Sequence, residues 1–212
     1  MKRTVTNKAS IFVLCTFVIG LWACTAHASV IYEYALEIFT NNGLYYNDPA
    51  VDVYVQVSDQ AGQVRFEFHN DSTVASSVAD IYFDDGSLLG IANIDNGLGT
   101  AFSQWATPPD LPAGNTLIPP FQTTEGFSAD SDSPPPLNGV NPGEWVAIIF
   151  NLVNGATLDD VIDDLNDGTL RIGAHIIAFP DGSSEAAVNV PEPATLVVLG
   201  IGGLLALLRR RR

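Results

Sequence analysis

The stretch Val51-Asp52-Val53-Tyr54-Val55-Gln56-Val57-Ser58, then Asp59-Gln60-Ala61-Gly62, then Gln63-Val64-Arg65-Phe66-Glu67-Phe68 decides the fold class. Valines at 51, 53, 55 and 57 alternate with polar or amphipathic residues. That period of two places them on one face of a half-buried strand. Val64, Phe66 and Phe68 repeat the pattern after a turn, so the segment reads as an antiparallel hairpin.

The same rhythm extends in both directions. Residues 30–39 are apolar and β-prone, and further strands are expected near 77–83 and 88–94. Trp145 to Val153 is almost continuously apolar, which fits a central strand covered on both faces. Leu170, Ile172, Ala174, Ile176 and Ala178 alternate again, and residues 184–190 suit a last strand. One helix is expected from Thr157. Thr157 can cap it with Asp160, and Leu158, Val161, Ile162 and Leu165 follow helical spacing before Gly168. Short strands with little helix predict a mainly β fold, an antiparallel β-sandwich of jelly-roll-like form with one short helix. A mixed α+β fold is the alternative.

Between Ala106 and Glu144 lie nine of the 13 prolines. Long loops of this kind are often binding loops or disordered. Phe121 and Phe127 lie within it, and Trp105 and Trp145 flank it. These four aromatics are the candidate ligand platform, able to stack on sugar rings.

Charge is segregated along the chain. The whole sequence carries −15, but residues 29–190 hold two bases, Arg65 and Arg171, against 23 acids, a net −21. Such a domain lacks the Lys/Arg footprint that nucleic acid requires. Lys2, Arg3 and Lys8 precede an apolar run from Ile11 to Ala23, and Ala26-His27-Ala28 forms an A-x-A cleavage site. Residues 1–28 therefore read as a signal peptide for the Sec machinery and signal peptidase, whose helix is removed. A competing lipoprotein reading places Leu21-Trp22-Ala23 before Cys24, with Trp22 bulky where such signals carry a small residue. Cys15 and Cys24 are the only cysteines, so residues 29–189 offer no thiol nucleophile or thiolate metal site.

The other end reads Pro191-Glu192-Pro193, an apolar run from Ala194 to Leu208, then Arg209, Arg210, Arg211 and Arg212. A 15-residue helix spans roughly 22 Å, short of the ~30 Å hydrocarbon core. Snorkelling arginines extend its reach and fix that end in the cytoplasm. This triplet, the Gly-rich apolar run with Gly200, Gly202 and Gly203, and the arginine cluster closely resemble the PEP-CTERM sorting signal. The same C-terminal family also goes under an ice-binding protein name, which describes the tail alone. The resemblance implies recognition of the triplet by an exosortase-type protease, retention by the arginines, and a transient inner-membrane anchor. It further implies delivery to the cell surface or to a biofilm and polysaccharide matrix. The chain thus divides into a signal peptide at 1–28, an exported domain at 29–189 and a sorting segment with a transmembrane helix at 190–212.

Within the domain, chemical motifs are sparse. Asp163 to Gly168 looks like part of a calcium loop, but Leu165 and Ala174 stand where oxygen ligands belong. Asp84 and Asp85, and Asp130 and Asp132, are weak calcium candidates at turns, and no other cofactor is implied. His69 and His175 have no partners that the sequence can nominate. With 23 acids, some pair at glycosidase spacing is inevitable and diagnoses nothing. The expected function is a surface or matrix protein without catalysis. The alternatives are a carbohydrate-binding module using residues 105–145 and, behind it, a glycan hydrolase.

Overall fold

A computed structural model describes residues 30–190. The signal peptide with Ala26 and Ala28, the Pro191–Pro193 triplet, the apolar run and the four arginines lie outside the described residues. No described helix is long and apolar enough to cross a membrane.

The mainly β expectation holds. Ten antiparallel strands form one continuous, nearly closed sheet: β1 (Ile31–Ile38), β2 (Val53–Gln60), β3 (Gln63–Asn70), β4 (Ser77–Asp84), β5 (Leu88–Asn96), β6 (Phe102–Gln104), β7 (Ser128–Ser131), β8 (Trp145–Leu152), β9 (Arg171–Ile177) and β10 (Glu185–Asn189). Their order is β5-β8-β3-β2-β1-β10-β9-β4-β7-β6. The two faces expected of a sandwich are joined, because β1 belongs to both. Ile31 to Ala35 pair with β2, whereas Leu36 to Ile38 pair with β10. At the opposite margin Asn96 of β5 reaches β6: its Oδ1 accepts from Phe102 N–H at 2.8 Å.

The hairpin at 53–70 has the register that alternation requires, with Val55 opposite Phe68 and Val57 opposite Phe66. These residues are fully buried with Phe83 and Phe150. Phe66 meets Phe83 edge-on at 5.1 Å, and Phe83 meets Phe150 at 4.7 Å. Val146 to Phe150 of β8 are all buried, as the apolar run predicts. Helix α2 (Leu158–Asp167) closes one end of the core through Val161, Ile162 and Leu165. Thr157 N–H and Oγ1 both donate to Asp160 Oδ2, at 2.7 and 2.8 Å. These bonds hold the Asp160 carboxyl below its ordinary range. Gly168 ends the helix at φ 82°, a left-handed conformation that costs glycine little.

The proline-rich segment differs from its expectation as one long loop. It contains β7, the short helix α1 (Pro135–Asn138) and a 3-10 turn at Gly114–Thr116. Its first part folds over the outer face of β4, β9 and β10. There Ala106, Leu111 and Phe121 pack with Tyr82 and Ala186 in a second apolar cluster. This cover explains why β4 is buried on both faces. Gly173 makes the close approach possible, since a Cβ there would stand 2.7 Å from Leu111 Cδ2. Tyr82 Oη donates to Pro108 O at 3.0 Å, and burial raises its phenol pKa. Arg171 donates to Pro119 O at 2.7 Å and Pro120 O at 2.5 Å, pairs with Asp84, and lies over the Phe121 ring at 5.2 Å.

Phe121→Ala therefore removes the centre of this cover. Its expected cost is about 3 kcal/mol. Urea unfolding should shift to a lower midpoint, and limited proteolysis should newly cut within 106–121. An unchanged midpoint and cleavage pattern would contradict the packing role.

Candidate functional site

Antiparallel register brings four polar residues into one row on the outer face of neighbouring strands. His175 of β9 stands opposite Asp80 of β4, Asp80 opposite Asp130 of β7, and Asp130 opposite Ser103 of β6. The row borders a cleft of about 330 Å³ that is also lined by Thr107, Pro108, Ser133 and Pro135. Asp80 is only 4% exposed.

The hydrogen-bond chemistry of the row is determined by what each group can donate. His175 Nδ1 lies 2.8 Å from Asp80 Oδ2. An ionised carboxylate only accepts, so the ring donates through Nδ1–H. Asp80 also faces Asp130 across β4 and β7, and crowding of two carboxyls favours a proton on Asp130. Burial, then the Asp80 charge, pushes its pKa up to about 6. The arrangement is a carboxyl–carboxylate pair with an oriented imidazole, able to hold and release a proton near neutral pH.

The weak calcium candidates Asp84, Asp85 and Asp132 lie at strand ends and turns. Asp84 pairs with Arg171 and accepts from Gln122 N–H at 3.0 Å. Asp85 sits in a turn at φ 59° and donates its N–H to Thr124 Oγ1 at 2.7 Å. Asp132 accepts from Ser103 Oγ at 2.9 Å. Among the described residues no group of three or more His, Cys, Asp or Glu side chains is placed to hold a metal ion.

The four aromatics do not form one platform. Phe121 belongs to the second apolar cluster. Phe127 is in the main core, 5.2 Å from the Phe150 ring. Trp105 is 58% exposed, and its ring lies over Gly126. Trp145 enters a different arrangement, a cross-strand row with Tyr54 and His69 on the outer face of β2, β3 and β8. Tyr54 and His69 stack at 4.9 Å, 10° from parallel. Arg65 lies 5.2 Å from the Trp145 ring and bridges Glu67 and Asp95 at 2.7 and 2.8 Å. His69 Nε2 is 3.0 Å from Glu67 Oε1.

Sequence reasoning missed Asp80 as a site residue and left His175 unpartnered. The available signal was an acid inside an apolar strand, Val78-Ala79-Asp80-Ile81, since a buried carboxylate needs partners.

The pH dependence has a definite sign. Asp130 binds its proton more tightly folded than unfolded, so its stabilising contribution is full below about pH 4 and is lost as pH rises through about 6. Asp130→Asn keeps a donor for Asp80 without the charge. Its Tm should match the parent near pH 4 and exceed it at pH 7–8. An equal Tm difference at both pH values would contradict the shared proton.

Among known protein families, the PEP-CTERM protein-sorting motif matches residues 189–212. Such a motif implies export and sorting at a membrane. Comparison with curated proteins and with solved structures gives no match.

Proposed function

We propose, from the sorting motif at residues 189–212, that this chain is an exported surface or matrix protein whose folded domain is cargo for an exosortase-type protease. The observation that carries this reading is the abrupt junction between fold and motif. β10 ends at Asn189, and the Pro-Glu-Pro triplet begins at Pro191. Proline removes the backbone donor and fixes φ, so helix does not propagate across the junction. Pro191, Glu192 and Pro193 are the recognition element, and Arg209 to Arg212 retain the tail until processing.

We further propose that the domain acts by presenting surface rather than by catalysis. What supports this is that the acids of the domain are tied into structural hydrogen bonds and ion pairs, as at Glu185, Asp164 and Asp84. With 21 net negative charges between residues 29 and 190, the surface suits a hydrated, cation-rich polysaccharide environment. Replacing Pro191 and Glu192 together by alanine should leave the domain folded, abolish tail removal and reduce surface display at least tenfold by surface labelling. Normal processing of that variant would overturn the reading.

A second reading is a carbohydrate-binding module, favoured by the Tyr54–His69–Trp145 row. The half-buried aromatic edges and polar tips of this row, on the outer face of the sheet, suit contact with sugar rings and hydroxyls. Polysaccharide pull-down should then lose about tenfold in retention on Trp145→Ala and little on Trp105→Ala. Equal retention of both variants would remove the row from consideration.

A further inference from the structure

The cleft beside Asp80 is short of positive charge. Asp80, 4% exposed, faces Asp130 across β4 and β7. Asp132 adds a third negative charge close to Asp130. The imidazole of His175, with Nδ1 2.8 Å from Asp80 Oδ2, answers one carboxylate at most. Arg65 and Arg171 are the only Lys or Arg side chains between residues 29 and 190. Arg65 is tied to Glu67 and Asp95, and Arg171 to Asp84 and the carbonyl of Pro119. Neither lines this cleft. A buried carboxylate without a counter-charge is costly, so a cation that enters the cleft gains what the domain itself does not supply.

The rest of the lining selects the carrier of that charge. Among the described residues no group of three or more His, Cys, Asp or Glu side chains is placed to hold a metal ion. Pro108, Pro135 and Ile177 form apolar walls, which suit carbon rather than a bare ion. Ser131 also borders the cleft; it is 3% exposed, and its Oγ has no hydrogen-bond partner among the described residues. A buried hydroxyl without a partner marks a place where an incoming donor gains a bond. A primary ammonium carries three N–H donors and no acceptor, which matches two carboxylates and one hydroxyl. The hydroxyls of Thr107 and Ser133 are further polar groups on the rim. The bare aliphatic stem of a lysine leaves them unanswered, whereas ring hydroxyls engage them. At about 330 Å³ the cleft is at the small end of ligand sites and takes one sugar ring.

We propose that this cleft binds a single amino-sugar unit, a hexosamine, through its protonated amino group. The ammonium sits between Asp80 and Asp130, and the C–H faces of the ring lie along Pro108, Pro135 and Ile177. His175 keeps its Nδ1–H on Asp80 and holds that carboxylate in place. Acetylation of the amine removes the charge and with it the reason to bind. The site is separate from the Tyr54–His69–Trp145 row on β2, β3 and β8, and it stands whether or not the sorting reading does.

The test is a titration of the full chain in detergent micelles with glucosamine, at about pH 7 and about 0.15 M salt, where generic attraction to the acidic surface is screened. Asp130, pushed up to about 6, is mostly ionised there. The probe is the set of ¹⁵N-histidine ring resonances, with that of His175 assigned by its loss in His175→Gln. The His175 resonance should move along a saturable curve with half-saturation in the low millimolar range, while that of His69, on the other row, stays in place. N-acetylglucosamine, glucose and N-acetyl-lysine amide should each bind at least about tenfold more weakly, and calcium chloride should leave His175 unmoved. Asp130→Asn, with its fold checked by Tm, should also lose about tenfold or more in affinity. Equal binding of N-acetylglucosamine or glucose would overturn the ammonium site, as would a glucosamine response that is unsaturable or that survives Asp130→Asn. N-acetyl-lysine amide binding as tightly as glucosamine would overturn the sugar, and a saturable calcium response at His175 would overturn the organic cation.

Discussion

The partner change of β1 is the constraint on which the rest of the structure depends. A strand has two hydrogen-bonding edges, and a closed sheet needs both filled along their length. β1 fills one edge with β2 over its first five residues and the other with β10 over its last three. Its inward side chains Tyr34 and Leu36 reach the core on both sides of the switch. The sheet is thereby continuous. A cleft lies on each side of the switch. One, about 320 Å³, lies between Leu36–Ile38 and residues 47–53. The other lies beside Ile31 to Tyr34.

The extreme acidity of the domain shapes how its interior is held. Both of its bases are spent internally. Arg65 bridges Glu67 and Asp95 over Trp145, and Arg171 ties Asp84 to the proline-rich cover. Other carboxylates are satisfied by neutral donors. Buried Glu185 accepts from Thr40 Oγ1 at 2.5 Å and from the N–H groups of Asn42 and Gly43 at 2.9 Å. Asp164 accepts from Ser87 N–H and Oγ at 2.8 and 2.5 Å. Each of these bonds joins segments far apart in sequence. The acids thus act as cross-links as well as surface charge, and the outward surface stays anionic.

How much was legible in the sequence follows from the range of the forces involved. The 53–70 hairpin and α2 are local: alternation, a capping residue and a stop glycine determine them. The double burial of β8 was legible because both faces lost their polar residues. The proline-rich segment was not, because its order comes from Tyr82, Gly173 and Arg171, which are distant in sequence. The same limit applies to the site. Asp80, Asp130 and His175 are aligned by the registers of three strands, and register is a property of the assembled sheet. Phe121 and Phe127 could be read as platform, though aromatics are more often core, and packing places both in the interior. The sorting segment was the most legible part, because its signal is linear.

The central claim is that the folded domain is cargo, separated from its address during sorting. Intact mass spectrometry of the surface-released protein tests it most directly. The account predicts a species that begins at Ser29 and ends at or near the Pro191–Pro193 triplet, without Arg209 to Arg212. A surface species whose mass still includes the apolar run and the four arginines would contradict it.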